Sequence, residues 1–571
     1  MKEAINIVNS YGYEIKEPTE YIKGEETKLV LDTLYYKNIP EGLLYLINGE
    51  EELKNHFKKT ATMIDLSRNA VFKLTYFKEV ILKHALLGFN EIWLYMEDVF
   101  EIKELPKFGY LRGKYSKEEL KELVDFSNQL GITLIPCVQT LGHMGQFLRW
   151  PSSAKFKDTS DVLKVGSEDT YRLITLMLKT LKEVFPTTKI HVGMDETFGL
   201  GFGRYYKEEG YTPQPKLFME HLKKVNELAL KEGFEEVYIW SDMFFRMYSK
   251  HESYYDYNID FEESYLKEIP SNVGLVYWDY YNYKKEIVEG MVKKHLTLNK
   301  KIIFASGTWI WTKLTYDKTQ TDRTALMHID VSKEYGLEEI CFTQWQDDGA
   351  YVDYDSIYLG LYDVINHIYD NKVKEDVFTF LTNKDYQDAV LISQLNDLKI
   401  SPIRLLWDDI ILAIYLNNTF LYEPNSFNEA IKELDDYIKK LKENKLTTNP
   451  VYNIANLLNN KLKLRQQLLK QYQDKENKIS LAEELKELEK SVNLVLNDFK
   501  ERWLSNYKVY GLEVLETRLI ATISRIDTLR RIIEDYNNKL ITQLDFLEEE
   551  LSQEGYLTIK FADIFYSSTV K

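Results

Sequence analysis

The sequence has 571 residues, enough for three or more domains at ~100–200 residues each. Apolar residues make up 44% and charged residues 29%, which excludes a disordered chain, and no run approaches the ~18 uncharged apolar residues of a transmembrane helix. The chain has 73 Lys and Arg residues and 90 Asp and Glu residues, which gives a net charge of −17. A chain this acidic is a poor candidate for binding the phosphate backbone of a nucleic acid. We therefore expect neither nucleic acid nor membrane among the partners.

Residues 1–58 predict a small N-terminal α+β domain. The β-like runs are TKLVLDTLYY and GLLYLIN, and a short charged helix is expected from Glu51 to Lys59. The first residues lack the basic start and ~7–15 apolar residues of a secretory signal, which predicts a cytoplasmic protein. A chain from which a signal had been removed would look the same. Cys137 and Cys341 lie in apolar runs and are expected to be buried thiols rather than a disulfide.

Residues 59–365 predict a (β/α)8 barrel, so the fold class is α/β with a TIM barrel. Eight short apolar runs alternate with amphipathic segments of helical length; the runs are TATMIDL, EIWLYME, ITLIPCVQT, KIHVGMD, EVYIWSDMF, VGLVYWD, KIIFASG and EICFTQW. Near-continuous apolar runs are typical of parallel strands buried on both faces. The alternative is an open doubly wound sheet, which usually has a Gly-rich turn after its first strand; MIDLSRNA has none.

Residues 366–571 predict an all-helical C-terminal domain. Apolar residues from Leu515 to Ile533 recur at spacings of three and four, and Ser480 with Glu483 predicts a capping box at the start of another helix. No fixed-length repeat is visible, which favours a helical bundle over a solenoid. A coiled-coil arm that makes a homodimer remains the alternative.

Polar and aromatic residues follow the eight runs where a barrel carries its chemistry, at the carboxyl ends of the strands. Carboxylates and tryptophans dominate this predicted rim. In chain order the residues are Asp65, Arg68, Glu97, Asp98, Gln139, His143, Asp195, Glu196, Trp240, Asp242, Trp278, Asp279, Trp309, Trp311, Trp345, Gln346, Asp347 and Asp348. Sugar rings stack on tryptophan and their hydroxyls pair with charged groups, so this set favours a sugar site. Only His143 and His191 lie near these ends, so no metal and no other cofactor are expected.

The segment HVGMDETFGLGFGRYY, residues 191–206, resembles the active-site signature of glycoside hydrolase family 20, the β-N-acetylhexosaminidases. MIDLSRNAV, LYMEDVFE, QTLGHMGQFLRWP, WSDMF, YWDYY and TQWQDDGA resemble other segments of that family, and together they cover roughly residues 60–360. The nearest likeness is to bacterial, signal-less, exo-acting members with a helical C-terminal domain.

The resemblance implies substrate-assisted catalysis with retention at the anomeric carbon. This family is an exception to the usual pair of carboxyls held ~5–5.5 Å apart, because the 2-acetamido group of the substrate is the nucleophile. Glu196 is then the general acid and base and must be protonated, whereas Asp195 stays ionised and stabilises the oxazolinium intermediate. The expected substrate is a terminal, non-reducing, β-linked GlcNAc, with GalNAc as the alternative.

The resemblance also implies roles for other rim residues. Arg68 should hold the 3- and 4-hydroxyls, and Asp347 should bind the 4- and 6-hydroxyls where the family often has Glu. The predicted aromatic walls of the acetamido pocket are Trp240, Trp278 and Trp345, with Trp309 as a further substrate-binding residue. Asp98 and His143 match a network that tunes the acid. The tyrosine that usually donates to the acetamido oxygen has no clear counterpart, and Tyr280, Tyr281 and Trp309 are candidates.

Two other functions stay open from the residues alone. A sugar-binding protein on an inactive barrel is disfavoured, because it has no need of the Asp195–Glu196 pair. A conventional two-carboxylate glycosidase would use a pair such as Glu97 and Glu196. His191, inside an apolar run, is expected to be structural.

Overall fold

The computed structural model describes residues 1–49, 53–347, 349–420, 426–474, 478–549 and 561. Within them no helix is long and apolar enough to cross a membrane. The chain forms two compact units that are not consecutive in sequence. The first contains Met1–Trp309, Gln320–Trp345 and Gly360–Asn383, and the second contains Ile310–Thr319, Gln346–Leu359 and the described residues from Lys384 onward. The predicted boundaries after residues 58 and 365 stay predictions.

The N-terminal segment is α+β, as predicted. Its elements are α1 (Lys2–Ser10), β1 (Glu20–Lys23), β2 (Lys28–Val30), β3 (Thr33–Tyr36) and α2 (Ile39–Ile47). In the sheet order β1-β3-β2, β3 runs parallel to β1 and antiparallel to β2.

Two local predictions in this segment were wrong. GLLYLIN lies mostly in helix α2, because the side chain of Asn38 accepts the Glu41 N–H at 2.9 Å and Pro40 begins the first turn. The charged helix expected from Glu51 to Lys59 does not form over residues 53–58, and Lys59 begins a strand. Glu51 and Glu52 lie outside the described residues.

The eight predicted barrel strands are confirmed. They are β4 (Lys59–Asp65), β5 (Glu91–Tyr95), β6 (Thr133–Cys137), β7 (Lys189–His191), β8 (Glu236–Trp240), β9 (Val273–Trp278), β10 (Ile302–Gly307) and β11 (Glu339–Gln344). Each pairs in parallel with its neighbours, and β11 pairs with β4 to close the barrel. The closed ring therefore excludes the open doubly wound sheet.

Helices join these strands. In chain order they are α3 (Leu74–Leu86), α4 (Lys117–Gln129), α5 (Gly145–Leu148), α6 (Glu168–Lys182), α7 (Arg204–Glu209), α8 (Gln214–Lys231), α9 (Asp242–Tyr248), α10 (Glu263–Lys267), α11 (Lys285–Leu296), α12 (Lys318–Thr321) and α13 (Met327–Glu334). A 3-10 turn covers Pro151–Phe156, and a π-helical turn covers Asp322–Leu326 between α12 and α13.

Alternate residues of the strands fill the barrel interior, as the two-residue period of a strand requires. The buried interior side chains are Ala61, Met63, Trp93, Tyr95, Ile135, Cys137, Tyr238, Trp240, Val276, Ile303, Ala305 and Cys341. Cys137 and Cys341 are both buried free thiols, as expected. Trp278 and Trp345 pack against this cluster from the carboxyl ends of β9 and β11.

Helices make up most of the remaining described residues. They are α14 (Ile357–Ile368), α15 (Glu375–Thr382), α16 (Tyr386–Ser393), α17 (Pro402–Trp407), α18 (Ile414–Phe420), α19 (Ser426–Glu443), α20 (Pro450–Gln473), α21 (Ala482–Asn506), α22 (Leu512–Asn537) and α23 (Asp545–Glu548), with 3-10 turns at Tyr354–Ser356 and Gln394–Asp397. The four long helices α19 to α22 pack consecutively, which confirms the predicted helical C-terminal region.

Candidate active site

A strained turn after β7 presents the two adjacent carboxylates. Gly193 has φ +73°, and a Cβ there would lie 2.0 Å from the Gln139 side-chain oxygen, so only glycine fits. Met194 and Glu196 also have positive φ, at +75° and +44°. Such strain in residues other than glycine is concentrated at functional sites. The Met194 N–H donates to Gln139 Oε1 at 3.2 Å and holds the turn against the neighbouring strand.

Asp195 lies on the inner side of this turn and is held as a carboxylate. Its Oδ1 accepts the Gln139 side-chain N–H at 2.7 Å, and its Oδ2 lies 3.1 Å from His143 Nε2. Burial by itself raises the pKa of Asp195, but the charge and hydrogen bonds of His143 and Gln139 outweigh burial and lower it. Asp195 is therefore ionised near neutral pH.

His143 is the cation beside the carboxylate pair. Its backbone N–H donates to Asp161 Oδ2 at 3.1 Å, and its Nε2 lies 3.6 Å from Glu196 Oε2. Burial favours the neutral imidazole, yet Asp195 raises the pKa of His143 well above its usual range. The geometry places His143 in contact with both members of the pair.

Glu196 faces outward from the same turn. Its side chain is 37% exposed, against 12% for Asp195. The Glu196 N–H donates to Asp242 Oδ2 at 3.1 Å. Burial, and then the neighbouring Asp195, raise the pKa of Asp242 well above its usual range. The sequence predicts Asp242 only as a residue that follows β8, because its contact with Glu196, which follows the neighbouring strand β7, depends on the tertiary structure.

Arg68 lies at the carboxyl end of β4 in a nest of acids and aromatic rings. Its Nη1 is 3.3 Å from Glu97 Oε1, and its guanidinium lies 5.6 Å from the centre of the Trp345 ring. Burial raises the pKa of Glu97 to about 7, although Arg68 opposes the rise. Glu97, which was considered only as an alternative catalytic acid, is therefore the ion-pair partner of Arg68.

Asp98 pairs with Arg112, an arginine of its own loop, whereas the preceding contacts involve Arg68. Its Oδ1 lies 3.2 Å from Arg112 Nε, and Arg112 also donates to Asn69 Oδ1 at 2.7 Å and to the Ser67 carbonyl. These contacts tie the loop after β5 to the loop after β4. Asp98 is predicted to tune the acid Glu196. Any such influence would have to pass through this connection between the two loops.

The predicted tryptophans gather at one end of the barrel in two groups. Trp240 and Trp345 pack with ring centres 6.0 Å apart, and Trp240 is 1% exposed, so it also belongs to the barrel core. Trp278 stacks on Tyr280 at 5.4 Å with an interplanar angle of 15°. Trp309 meets Tyr281 edge-on at 5.5 Å.

Other predicted residues fall in different places. The His191 side chain accepts the Gly193 N–H at 3.1 Å, and burial lowers the pKa of this histidine to about 3, which agrees with a structural role. Trp311, Gln346 and Asp347 belong to the second compact unit. Asp348 lies outside the described residues.

Tyr254, in the loop after α9, is a candidate for the site that the sequence did not reveal. Its hydroxyl is buried and has no hydrogen-bond partner among the described residues. Its ring lies 5.3 Å from Trp278, and Glu196 and Asp242 are the acids with the largest electrostatic effect on it. It lies in a tyrosine-rich loop segment, SYYDYN, so nothing in the local pattern singles it out.

Two family models match this chain. Residues 57–348 match the glycosyl hydrolase family 20 catalytic domain, and residues 376–555 match the glycoside hydrolase 20C C-terminal domain. Hexosaminidase D of Bos taurus is 26% identical over 218 residues, 36% of this chain and 59% of the relative. Hexosaminidase D of Homo sapiens is 25% identical over 195 residues, 33% of this chain and 40% of the relative. The chain thus spans about half the length of these relatives.

Among solved structures, a β-N-acetylhexosaminidase from Bacteroides fragilis NCTC 9343 aligns with a TM-score of 0.47 and 17% identity, covering 62% of this chain and 78% of that one. The Flavobacterium johnsoniae chitobiase aligns with a TM-score of 0.46 and 14% identity, covering 77% and 75%. The catalytic-domain match extends over more than half of the 571 residues. The chain belongs to glycoside hydrolase family 20.

Proposed function

We propose that this protein is an exo-β-N-acetylhexosaminidase that removes terminal, non-reducing, β-linked GlcNAc by retaining, substrate-assisted catalysis. The observation that carries the proposal is the contrast between two adjacent carboxyls. Asp195 is buried, ionised and paired with His143, whereas Glu196 is half exposed on the outer side of the same turn. Neighbours on one turn do not straddle a glycosidic bond, which supports a nucleophile supplied by the substrate.

In the first step the acetamido oxygen attacks the anomeric carbon, and Glu196 gives its proton to the leaving oxygen as the glycosidic bond breaks. The resulting oxazolinium carries a positive charge, which the Asp195 carboxylate stabilises beside the acetamido N–H. Glu196, now ionised, then takes a proton from water as the water attacks the anomeric carbon. This attack breaks the bond to the acetamido oxygen and opens the oxazolinium ring. The sugar leaves with its original configuration and Glu196 is protonated again.

The acetamido oxygen needs a hydrogen-bond donor, and Tyr254 suits this role best. The side chains with the largest effect on the Tyr280 hydroxyl are Thr343 and Trp345 rather than the acid pair, and Tyr281 is 53% exposed. The Tyr254 hydroxyl is buried without a partner among the described residues, beside Trp278 and near Glu196. A ligand acceptor would satisfy a hydroxyl that is otherwise costly to bury.

The remaining parts of the site are assigned on the same proposal. Arg68, oriented by Glu97, binds the 3- and 4-hydroxyls. The role of Asp347, which belongs to the second compact unit, stays a prediction. Trp240, Trp278, Trp345 and Trp309 supply the aromatic walls. GlcNAc and GalNAc are C4 epimers. Measuring activity on glycosides of each sugar determines which one the enzyme prefers. The cytoplasmic location and the homodimer stay predictions.

The matched substrates 4-nitrophenyl N-acetyl-β-glucosaminide and 4-nitrophenyl β-glucoside test the mechanism. We expect nitrophenol release from the first and none from the second, since the glucoside has no acetamido nucleophile. Equal rates on both would favour the two-carboxylate alternative.

Glu196→Gln tests the acid directly. We expect kcat to fall by ~10²–10⁴-fold, because general acid–base catalysis is lost. Glu208→Gln is the control, since Glu208 lies in the same connection between β7 and α8 but pairs with Arg204 and Lys164 at the surface. A Glu196→Gln enzyme with normal activity would remove this residue from the mechanism.

A further inference from the structure

The outer side of the catalytic turn continues past Glu196 as an aromatic surface. Phe198 is 53% exposed, whereas Thr197 between the two residues is fully buried. The Phe198 N–H donates to the Glu196 carbonyl at 2.6 Å. This contact closes a tight backbone turn between the acid and the exposed aromatic residue.

A cation orients the Phe198 ring. The Arg246 guanidinium lies 4.5 Å from the ring centre, and its Nη2 bonds to Glu252 Oε2 at 2.5 Å. The Arg246 side chain is only 13% exposed, so it covers one face of the ring from the protein side. Phe198 is nevertheless 53% exposed, so much of its ring is open to solvent beside this cation.

Exposed aromatic side chains are concentrated at this end of the barrel. The segment between β7 and α8 carries four of them, Phe198, Phe202, Tyr206 and Tyr211, and the loops after β5 and β9 add Tyr110, Tyr281 and Tyr283. Elsewhere in the described chain only Tyr11 and Tyr510 are comparably exposed. Solvent-facing apolar groups gathered around a catalytic rim mark a binding surface.

We infer that Phe198 is the stacking platform for the sugar ring of the leaving group, and that the other aromatic residues of this rim contact sugars further along the chain. The inference rests on the proposed function. Because Glu196 protonates the leaving oxygen, the leaving group passes Glu196, and Phe198 is the first exposed aromatic residue after it in the chain. The C–H face of a pyranose packs on an aromatic face. The substrate class is therefore a β-linked oligosaccharide, whose second pyranose is recognised, rather than a GlcNAc on a small aglycone.

Comparing two substrates distinguishes an effect on stacking against Phe198 from an effect on the catalytic step. N,N′-diacetylchitobiose has a pyranose leaving group, and methyl N-acetyl-β-glucosaminide has only a methyl group; a nitrophenyl leaving group is avoided because its ring could stack. Release of GlcNAc gives kcat/KM for each. In Phe198→Ala we expect the ratio of kcat/KM for chitobiose to kcat/KM for the methyl glycoside to fall about tenfold, a loss of ~1.4 kcal/mol. Phe198→Tyr should keep the ratio.

Tyr11→Ala is the control for loss of an exposed aromatic ring away from this rim, and it should leave the ratio unchanged. An equal fall on both substrates in Phe198→Ala, or an unchanged ratio, would overturn the platform while leaving the proposed hydrolysis intact. Absence of GlcNAc release from every substrate by the unaltered protein would instead refute the proposed function.

Discussion

Asp195 and Glu196 are chemically similar neighbours whose different surroundings suit the different tasks proposed for them. Gln139 and His143 surround Asp195, whereas Glu196 receives support through its own backbone N–H from Asp242. Two acids next to each other are coupled, so environment rather than residue type separates their protonation states.

His143→Gln tests this division through pH. His143 lowers the pKa of Asp195 in the folded protein, so its removal should raise that pKa. Because the proposed mechanism requires ionised Asp195, the acidic limb of kcat should move to higher pH, with activity lost mainly below neutrality. His367→Gln, which removes a histidine paired with Asp330, is the control. An unmoved acidic limb would contradict the role of His143.

Tyr254→Phe removes one hydroxyl and leaves the ring that contacts Trp278. We expect kcat/KM for the nitrophenyl GlcNAc substrate to fall about tenfold or more, the effect of losing a hydrogen bond worth ~1–3 kcal/mol. Tyr255→Phe is the matched control, because Tyr255 also contacts Trp278 but its largest electrostatic neighbour is Asp279. Equal activity in the two variants would remove Tyr254 as the donor.

At the scale of elements, charged residues join the amino-terminal ends of the barrel strands, opposite the catalytic end. Lys189, at the start of β7, lies 3.0 Å from Glu91 on β5 and 2.8 Å from Glu339 on β11. All three side chains are at most 8% exposed. Residues at this end of a barrel serve stability rather than catalysis.

Lys189→Met should destabilise the protein by about 3 kcal/mol, because it leaves two buried carboxylates without their shared cation. Lys59 and Lys301 still contact Glu91 and Glu339, so we expect a loss at the lower end of the usual range. Thermal unfolding measures the loss, and KM should not change. Lys58→Met, which removes an exposed pair with Glu338, should have an effect below ~0.5 kcal/mol. Equal Tm values for the two variants would be inconsistent with this account.

Local sequence patterns predicted the barrel strands correctly, but they did not predict the residue that caps the start of an individual helix. The predicted capping box at Ser480 and Glu483 does not form, because α21 begins at Ala482 with Leu481 in the cap position. The Ser480 N–H instead donates to the Gln471 side chain at 2.7 Å. Ser480 therefore contacts the preceding helix, and Leu481 takes the cap position instead. No local sequence pattern encodes this contact between helices.

At the scale of the whole molecule, the second compact unit draws on chain segments far apart in sequence. Asn396 donates to Thr315 Oγ1 at 2.8 Å, and the Tyr351 ring lies 5.0 Å from Trp407. Arg502 donates to the Tyr351 carbonyl at 2.8 Å. Residues 310–319 and 346–359 therefore contribute packing to this unit.

A fragment of residues 366–571 should fold poorly, because it lacks Thr315 and Tyr351 and exposes the surfaces they cover. We expect helical far-UV circular dichroism with a weak near-UV signal and non-cooperative melting. The full chain is the control. A fragment with a strong near-UV signal and a cooperative transition would show that the helical region is independent of those segments.

The sequence by itself determined the eight-stranded barrel, the helical C-terminal region and the position of the acid pair. Strand periodicity is local, and the carboxyl ends of parallel strands must meet at one end of the barrel. Only the tertiary structure decided which side chains touch. Separate loops meet where Asp242 accepts the Glu196 N–H, where Glu97 pairs with Arg68 and where Arg112 donates to Asn69. The buried hydroxyl of Tyr254 likewise depends on the tertiary structure. Such contacts follow from how far each loop reaches across the rim, and no spacing along the chain encodes that distance.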